Sequence, residues 1–308
     1  MSLAMREAFG QALAKMGETH PELVVLDADV SSSSKSAIFG KKYPDRFFNC
    51  GVAEGNLVGV AAGMATAGYH PVINAFAIFL ALKGADQIRN DICYNNLPVI
   101  IAGAYGGLSD SFDGASHQSI TDIAIMRAFP NMQVIVPSDA NQAEQALEYA
   151  LTQKGPVYIR LNRNIMPDLP IAKDFASGKV IECKKGKDIT IAANGITASY
   201  ANEAAAILSK EGIDAEVISV PFIKPLDGEG IAKSAQETGK LLCVEEHNIQ
   251  GGFASAVSEY FMRNGITCKF DCIGIEDRFT ETGPYDELLA KYGISAENIA
   301  NKAKALIK

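Results

Sequence analysis

The feature that most constrains the fold of this chain is a repeated alternation of short apolar runs with longer segments of helical period. Apolar runs of strand length occur, for example, at residues 23–26, 99–102 and 189–193, with helix-like segments between runs of this kind. When strands and helices alternate, the strands form a parallel sheet and the connections are right-handed crossovers. The sequence therefore predicts an α/β fold in which mostly parallel sheets are flanked by helices.

One stretch interrupts the alternation and divides the chain. Residues 167–187 contain proline and charged residues without a clear period, and the alternation resumes at Asp188. A length of 308 residues also suggests two domains. We therefore predict an α/β domain over residues 1–166, a linker over 167–187, and a second, smaller α/β domain over 188–308.

Composition and charge exclude several classes of partner. Hydrophobic residues make up 48% of the chain and charged residues 21%, which suits a globular core that needs no disulfide or metal support. The net charge is −8 without a basic cluster, so a nucleic-acid partner is not expected. The six cysteines form no C-x-x-C pair, and no segment has the apolar length of a membrane span or a signal peptide. We therefore predict a cytoplasmic protein with reduced cysteines and no membrane partner.

The stretch from residue 47 to residue 79 is the first candidate for a functional site. A short apolar strand stops at Gly51, Glu54 opens an otherwise apolar helix, and a second strand leads to Phe76 and Phe79. An acid at a strand-to-helix crossing can address a ligand at the carboxyl ends of the strands. Two structural explanations stay open: Glu54 can complement the helix dipole, and the two phenylalanines have the spacing of a helix-core pair.

Other polar segments also follow predicted strands of the first domain. They are Asp29 with the serines after it, the loop from Tyr105 to His117, and the pair Asn162–Arg163. Each has an ordinary explanation as a solvated loop or surface charge. Because the carboxyl ends of parallel strands meet at one edge of a sheet, their shared position nevertheless predicts a common site with Glu54.

These motifs resemble a known family. In order and spacing, five segments resemble the pyrimidine-binding domain of transketolases: G-V-A-E-G, N-A-F-A-I-F, F-D-G-A-S-H-Q, A-F-P-N-M-Q-V-I-V-P-S-D and Y-I-R-L-N-R. Residues 188–308, including V-E-E-H-N-I-Q-G-G, look like the transketolase C-terminal domain. No segment resembles the G-D-G diphosphate-binding region, which belongs to an earlier domain of full-length transketolases. The chain therefore resembles the C-terminal subunit of a split transketolase.

The resemblance implies thiamine diphosphate as the cofactor. Glu54 would be a catalytic residue that hydrogen-bonds the ring nitrogen N1′ of the aminopyrimidine, and its apolar neighbours would favour the protonated, donating acid. Phe79 would stack on the pyrimidine ring, and Phe76 would line the pocket. Mg²⁺ and the diphosphate would be held by a partner subunit, so no metal ligand is assigned to this chain.

The resemblance also implies transfer of a two-carbon ketol group between phosphorylated sugars. Asp113 would lie near the C2 hydroxyl of the donor, and His117, as a second catalytic residue, near the C1 hydroxyl or carbonyl. Arg163 matches an arginine that binds the substrate phosphate, a task suited to a planar, permanently charged group. Lys35 is a further candidate for substrate binding, although an ordinary turn explains it equally well.

Three positions depart from the family pattern. Leu82 stands where transketolases commonly place a third aromatic residue, and Tyr105 replaces a histidine that usually reaches the substrate. The segment near Ser31 lacks the second phosphate-binding arginine of the long enzymes. The cofactor is therefore better defined by the sequence than the sugars are.

The expected partner is the N-terminal transketolase subunit that carries the diphosphate-binding domain, in a heterotetramer built on a homodimer of this chain. One alternative is the β subunit of a 2-oxoacid dehydrogenase E1, which does not need the D-G-x-x-H-Q loop. A second is an enzyme like 1-deoxyxylulose-phosphate synthase. A third, of a different class, is a non-catalytic scaffold, which would have no use for Glu54 in an apolar cleft.

Overall fold

The computed structural model describes residues 3–169 and 175–308, so residues 170–174 of the predicted linker lie outside the described residues. The strands in the described ranges form two sheets of seven and five strands. They are β1 (Leu23–Asp27), β2 (Phe47–Asn49), β3 (His70–Phe76), β4 (Ile100–Ala104), β5 (Gln133–Ile135), β6 (Val157–Arg160), β7 (Ile181–Lys184), β8 (Ile189–Ala193), β9 (Ala215–Ser219), β10 (Phe222–Lys224), β11 (Lys240–Asn248) and β12 (Lys269–Ile275).

Helices connect most of these strands. They are α1 (Met5–Met16), α2 (Ser31–Ser34), α3 (Ala37–Lys42), α4 (Glu54–Thr66), α5 (Ala77–Lys83), α6 (Ala85–Gln87), α7 (Asp122–Ala128), α8 (Ala140–Leu151), α9 (Thr197–Lys210), α10 (Gly228–Thr238), α11 (Phe253–Arg263), α12 (Tyr285–Lys291) and α13 (Ala296–Ile307). Short 3₁₀ turns occupy Pro44–Arg46 and Phe175–Ser177, and Ile88–Cys93 forms a π-helix.

The central strands are buried on both faces, which explains their continuous apolar runs. Successive residues of one strand belong to different apolar cores: Val25 packs in the core that contains Phe9 of α1, and Leu26 in the core that contains Leu57 of α4. The seven-stranded sheet has the order β10-β5-β6-β4-β3-β1-β2 and the five-stranded sheet the order β12-β11-β8-β9-β7. The predicted α/β fold with mostly parallel sheets is confirmed.

Two antiparallel edge strands were not predicted. Strand β7 lies inside the segment 167–187 and pairs with β9, and β10 leaves the second half of the chain to pair with β5 of the first sheet. Phe222 of β10 is buried, with its ring centre 5.1 Å from those of Phe175 and Tyr149. Strands of three or four residues give no readable period, and the pairing of β10 is decided by packing between the two halves of the chain.

The helical segment that follows β3 is divided into three parts. Helix α5 ends before Gly84, and the chain continues through α6 into the π-helix. The division brings Gln87 against α4, where a Cβ added to Gly55 would lie 3.2 Å from the Gln87 side-chain oxygen.

The fold places the predicted site at one edge of the first sheet. Strands β6, β4, β3, β1 and β2 are neighbours in this order and run parallel. Their carboxyl ends therefore lie side by side, and the candidate residues follow these ends. All six cysteines are free thiols, and no helix of the described ranges is long and apolar enough to cross a bilayer.

Candidate active site

Glu54 is a buried acid at the start of α4. It is 5% exposed, and its Oε1 lies 3.4 Å from Nζ of Lys83 on α5. The Lys83 cation also lies 3.9 Å from the centre of the Phe79 ring, so it joins the acid to the aromatic part of the site. Of the apolar neighbours in the sequence, Leu57 is fully buried but Val52 is 72% exposed. Glu54 is therefore buried although Val52, one of its apolar neighbours in the sequence, lies at the surface.

Phe76, Phe79 and His117 form one aromatic cluster. The ring centres of the two phenylalanines are 5.8 Å apart. The His117 ring lies edge-on, 5.1 Å from the Phe79 ring and 6.0 Å from the Phe76 ring. The structure thus brings together residues that the sequence separates by about forty positions, and it places the histidine of the loop beside the aromatic rings that follow β3.

Tyr105, one of the three positions that depart from the family pattern, lies at the centre of the site. It is buried, its ring centre is 4.7 Å from that of Phe76, and its backbone has the left-handed φ of 61°. Such a conformation is uncommon for a residue other than glycine and tends to persist where the surrounding structure enforces it. Arg6 and Arg163 both lie over the Tyr105 ring, at 5.3 and 5.1 Å from its centre. Tyr105 therefore holds two guanidinium groups at one place.

Arg6 is a candidate that sequence reasoning missed. Its Nη1 lies within hydrogen-bonding distance of the Tyr105 hydroxyl oxygen, at 2.6 Å, and donates to the backbone oxygen of Ser33 at 2.9 Å. Its buried Nε has no hydrogen-bond partner in the described part of the chain. Arg6 and Arg163 line a cavity of about 730 Å³. The only sequence signal was a cation in an ordinary amphipathic helix, with no strand end to mark it.

Asp110 is a second residue that sequence reasoning missed. It is buried, and its Oδ1 lies 3.2 Å from Nη1 of Arg163, whereas its Oδ2 has no hydrogen-bond partner in residues 3–169 and 175–308. Burial and the nearby Asp113 raise the pKa of Asp110 to about 6, against the opposing effect of Arg163 and His117. Asp110 thus connects three of the four predicted substrate residues electrostatically, namely Asp113, His117 and Arg163.

Lys35 and Asp113 lie less centrally than the other predicted residues. Lys35 has a left-handed φ of 68°, and its Nζ lies 3.5 Å from a carboxylate oxygen of Glu7. The neighbouring Ser34 donates to Asp27, so this serine has a structural role. Asp113 is exposed in the loop after β4. Roles for Lys35 and Asp113 in substrate binding stay predictions.

Leu82 lies at the apolar mouth of the site. It is 57% exposed and lines a cavity of about 420 Å³ together with Ser116 and Phe279, which is 87% exposed. The position expected to carry a third aromatic ring is therefore an exposed aliphatic one in this chain. Its neighbour in space, Phe279, belongs to the second half of the sequence.

A buried acid at a helix start beside aromatic rings lies at the strand ends of an α/β sheet, the edge where folds of this class bind their ligands. Residues 1–168 match the family model "Transketolase, pyrimidine binding domain", and residues 178–299 match "Transketolase, C-terminal domain". The chain belongs to the transketolase family, and the predicted resemblance to the C-terminal subunit of a split transketolase is confirmed.

Relatives of similar length support this assignment. A Methanocaldococcus jannaschii protein named as a transketolase C-terminal section is 41% identical, over 97% of this chain and 94% of the relative. A Phocaeicola vulgatus protein named as one subunit of an apulose-4-phosphate transketolase is 34% identical, over 99% of this chain and 98% of the relative. A solved structure described as a split gene transketolase, inactive beta4 tetramer, is 43% identical with a TM-score of 0.91, covering 99% of this chain and 98% of that one.

Other relatives are longer. The 1-deoxy-D-xylulose-5-phosphate synthase of Symbiobacterium thermophilum is 35% identical over 99% of this chain, but the match covers 47% of the relative. The chain thus spans about half the length of the synthases it matches.

The raised pKa of Asp110 predicts a pH-dependent effect on stability. Because the folded protein favours the neutral acid, this carboxyl stabilises the fold most below about pH 4, and its contribution is lost as the pH rises to about 6. We expect Asp110→Asn to remove this loss, so the variant should gain stability relative to the wild type between pH 4 and pH 6. Urea unfolding at several pH values measures the difference. The exposed Asp45→Asn serves as the control, and an equal response in both variants would contradict the prediction.

Proposed function

We propose that this chain is the C-terminal subunit of a two-subunit, thiamine diphosphate-dependent transketolase that transfers a two-carbon ketol group between sugar phosphates. The observation that carries the proposal is the buried carboxyl of Glu54 next to the cluster of Phe76, Phe79 and His117. The Phocaeicola vulgatus relative, which is named as one subunit of a transketolase, supports the two-subunit organisation.

The residues of the site fit the pyrimidine half of thiamine diphosphate. Transketolases and 1-deoxyxylulose-phosphate synthases depend on this cofactor, which supplies the carbanion chemistry when bound. Glu54 is placed to hold a proton at a ring nitrogen, because a carboxyl this deeply buried meets a ligand without competition from bulk water. Phe79 offers a flat apolar ring for stacking. Mg²⁺ and the diphosphate are assigned to the partner subunit, which would correspond to the earlier domain of the long enzymes.

The other residues suit a phosphorylated sugar. His117 lies beside the aromatic cluster, where it can hydrogen-bond the oxygens next to the reacting carbon, and Asp113 lies on the same loop. Arg163 and Arg6, both over the Tyr105 ring, offer two permanently charged groups to the phosphate. Arg6 would thus be the second phosphate-binding arginine that the segment near Ser31 lacks.

The active assembly is proposed to contain two copies of this chain and two partner subunits. The relative described as an inactive beta4 tetramer shows that a related chain assembles with itself. Helix α4 presents an open face here: a Cβ added to Gly59 or Gly63 would meet nothing within 4 Å. Small residues allow close approach of a neighbouring backbone, so this face is our candidate for the two-fold contact.

A 1-deoxyxylulose-phosphate synthase-like activity is the second candidate, because such a synthase is 35% identical to the chain. The two activities differ in their product. Formation of a 1-deoxy sugar phosphate by the reconstituted complex, without exchange between ketose and aldose phosphates, would favour the synthase.

The acid is tested by Glu54→Gln in the complex with the partner subunit. We expect a loss of activity of about 10²–10⁴-fold, because an amide cannot take part in proton transfer. Lys83→Met is the matched control, since it removes the ion-pair partner of Glu54 and keeps the acid. Ketol transfer with thiamine diphosphate and Mg²⁺, measured on a panel of ketose phosphates, decides the outcome. Unchanged turnover in Glu54→Gln would leave the non-catalytic scaffold as the better explanation.

The phosphate site is tested by Arg6→Met and Arg163→Met. Loss of one charge-assisted contact, worth about 1.5–3 kcal/mol, should raise the KM for a phosphorylated donor by about 10- to 100-fold. The KM for the same ketose without its phosphate should change little, and this substrate is the control. A similar rise for both substrates would mean that the arginines support the fold of the loop instead.

Cofactor binding is expected to need both subunits, since this chain offers the pyrimidine half of the site. Calorimetry of the isolated chain should therefore show weak binding of thiamine diphosphate, and the reconstituted complex should bind it tightly in the presence of Mg²⁺. Tight, Mg²⁺-dependent binding to the isolated chain would contradict the division of the site.

A further inference from the structure

The second domain holds the loop that carries the predicted substrate residues. We call residues 106–119 the donor loop, since they contain Asp113 and His117. Near its start, the Leu108 amide donates to Oε1 of Glu246 at 2.8 Å. At its end, Arg160 donates both to the Ser119 backbone oxygen at 2.7 Å and to the Glu246 backbone oxygen at 2.9 Å. Both ends of the loop are thus linked to Glu246 of β11, the first directly and the second through Arg160.

The middle of the donor loop also touches the second domain. The Gly283 amide donates to the Ser111 backbone oxygen at 3.2 Å, and the Gln118 side chain donates to the Glu281 backbone oxygen at 2.9 Å. The Thr280 hydroxyl donates to the Gln118 side-chain oxygen. Contacts along the whole loop therefore come from a part of the chain more than a hundred residues away.

Glu246 connects the donor loop to two further segments of the chain. Its Oε1 accepts from the Leu108 amide and, at 2.9 Å, from the Tyr285 hydroxyl of α12. Its Oε2 accepts from Nδ2 of Asn162 at 3.2 Å. Asn162 directly precedes Arg163, so one carboxylate fixes both the donor loop and the strand end that carries the proposed phosphate site.

The chemistry of the contacts requires a carboxylate at this position. Glu246 is 3% exposed, and burying an acid is unfavourable unless its oxygens accept hydrogen bonds. Here donors converge on both oxygens from three separate segments, and a glutamine would direct its own NH₂ group at one of these donors. Gly107 permits the close approach: a Cβ there would lie 2.2 Å from Cδ of Glu246.

We propose that Glu246 is a positioning residue for the active site, through which the second domain sets the donor loop and Arg163 relative to each other. The kinetic part of this inference rests on the proposed transketolase function. The positional part does not, because it concerns the order of the donor loop in this chain alone. The second domain then contributes directly to sugar recognition, although none of its residues was predicted to touch the sugar.

Glu245 provides a matched control on the same strand. It is fully buried, and its carboxylate accepts from the amides of Phe253 and Ala254 at the start of α11 rather than from the donor loop. Burial raises the pKa of both Glu245 and Glu246 to about 7. The two acids are therefore alike in burial, in strand and in pKa. They differ in the segments whose groups donate hydrogen bonds to them.

The test compares Glu246→Gln with Glu245→Gln in the full chain by hydrogen exchange. We expect Glu246→Gln to speed exchange in the donor loop, including the Leu108 amide, on the order of tenfold. Glu245→Gln should speed exchange in α11 instead. If Glu246→Gln lowers the folded population, Tyr285→Phe removes a single partner of Glu246 and should act on the loop in the same direction. An unchanged donor loop in a folded Glu246→Gln variant, or the same loop response in both glutamine variants, overturns the proposal.

Kinetic measurements on the reconstituted complex test the kinetic part of the inference separately from the positional part. Glu246→Gln should raise the KM for the phosphorylated donor about tenfold and leave the Kd for thiamine diphosphate unchanged, because Glu54 and Phe79 follow other strands. A parallel rise in the KM for the donor and in the Kd for thiamine diphosphate would mean that Glu246 supports the stability of the whole fold. That result would overturn the positioning role. If the wild-type complex transfers no ketol group, the proposed function fails, and the exchange experiment still decides whether Glu246 orders the loop.

Discussion

The adjacency of five parallel strand ends is the constraint on which the rest of the site depends. Strands β6, β4, β3, β1 and β2 are neighbours in the first sheet, so the segments that follow them share one edge although they are distant in sequence. Parallel strands require long crossover connections, and those connections bury both faces of the sheet. The remaining place for polar chemistry is the edge where the strands end. Glu54, Tyr105 and Arg163 each lie just beyond such an end, and Phe76 is the last residue of β3.

Two buried acids at this edge have few hydrogen-bond partners of their own. Glu54 and Asp110 are almost completely buried, and each has one ion-pair partner that is itself partly exposed. Structural acids in the same chain are satisfied differently: both carboxylate oxygens of Glu245 accept from backbone amides inside the protein. Partial satisfaction costs stability and leaves hydrogen-bonding capacity for a ligand.

Sequence reasoning could predict those parts of the fold and site that are encoded locally. Apolar period predicts the parallel core, and position after a strand predicts Glu54, Phe79, His117 and Arg163. Arg6 and Asp110 were not predicted, because their place in the site depends on contacts with Tyr105 and Arg163 that no local sequence pattern indicates. Strand β10 was not predicted for the same reason: its three residues form a strand because they pair with β5, which lies in the other half of the chain. Arg6, Asp110 and β10 therefore depend on contacts between distant parts of the chain, which a local sequence pattern does not contain.

Such long-range contacts also explain why the second domain accompanies the first in one chain. A loop placed by its own sequence samples many conformations, and ordering it when substrate binds would reduce affinity. Here the hydrogen bonds from Glu246, from Arg160 and from residues 280–283 order the donor loop in advance. Under the proposed function, a cofactor site divided between two subunits would be completed on assembly, because the cofactor would bridge the halves. The proposed sugar site would have no such bridge in the first domain alone, so the order of the donor loop would come from the covalently attached second domain.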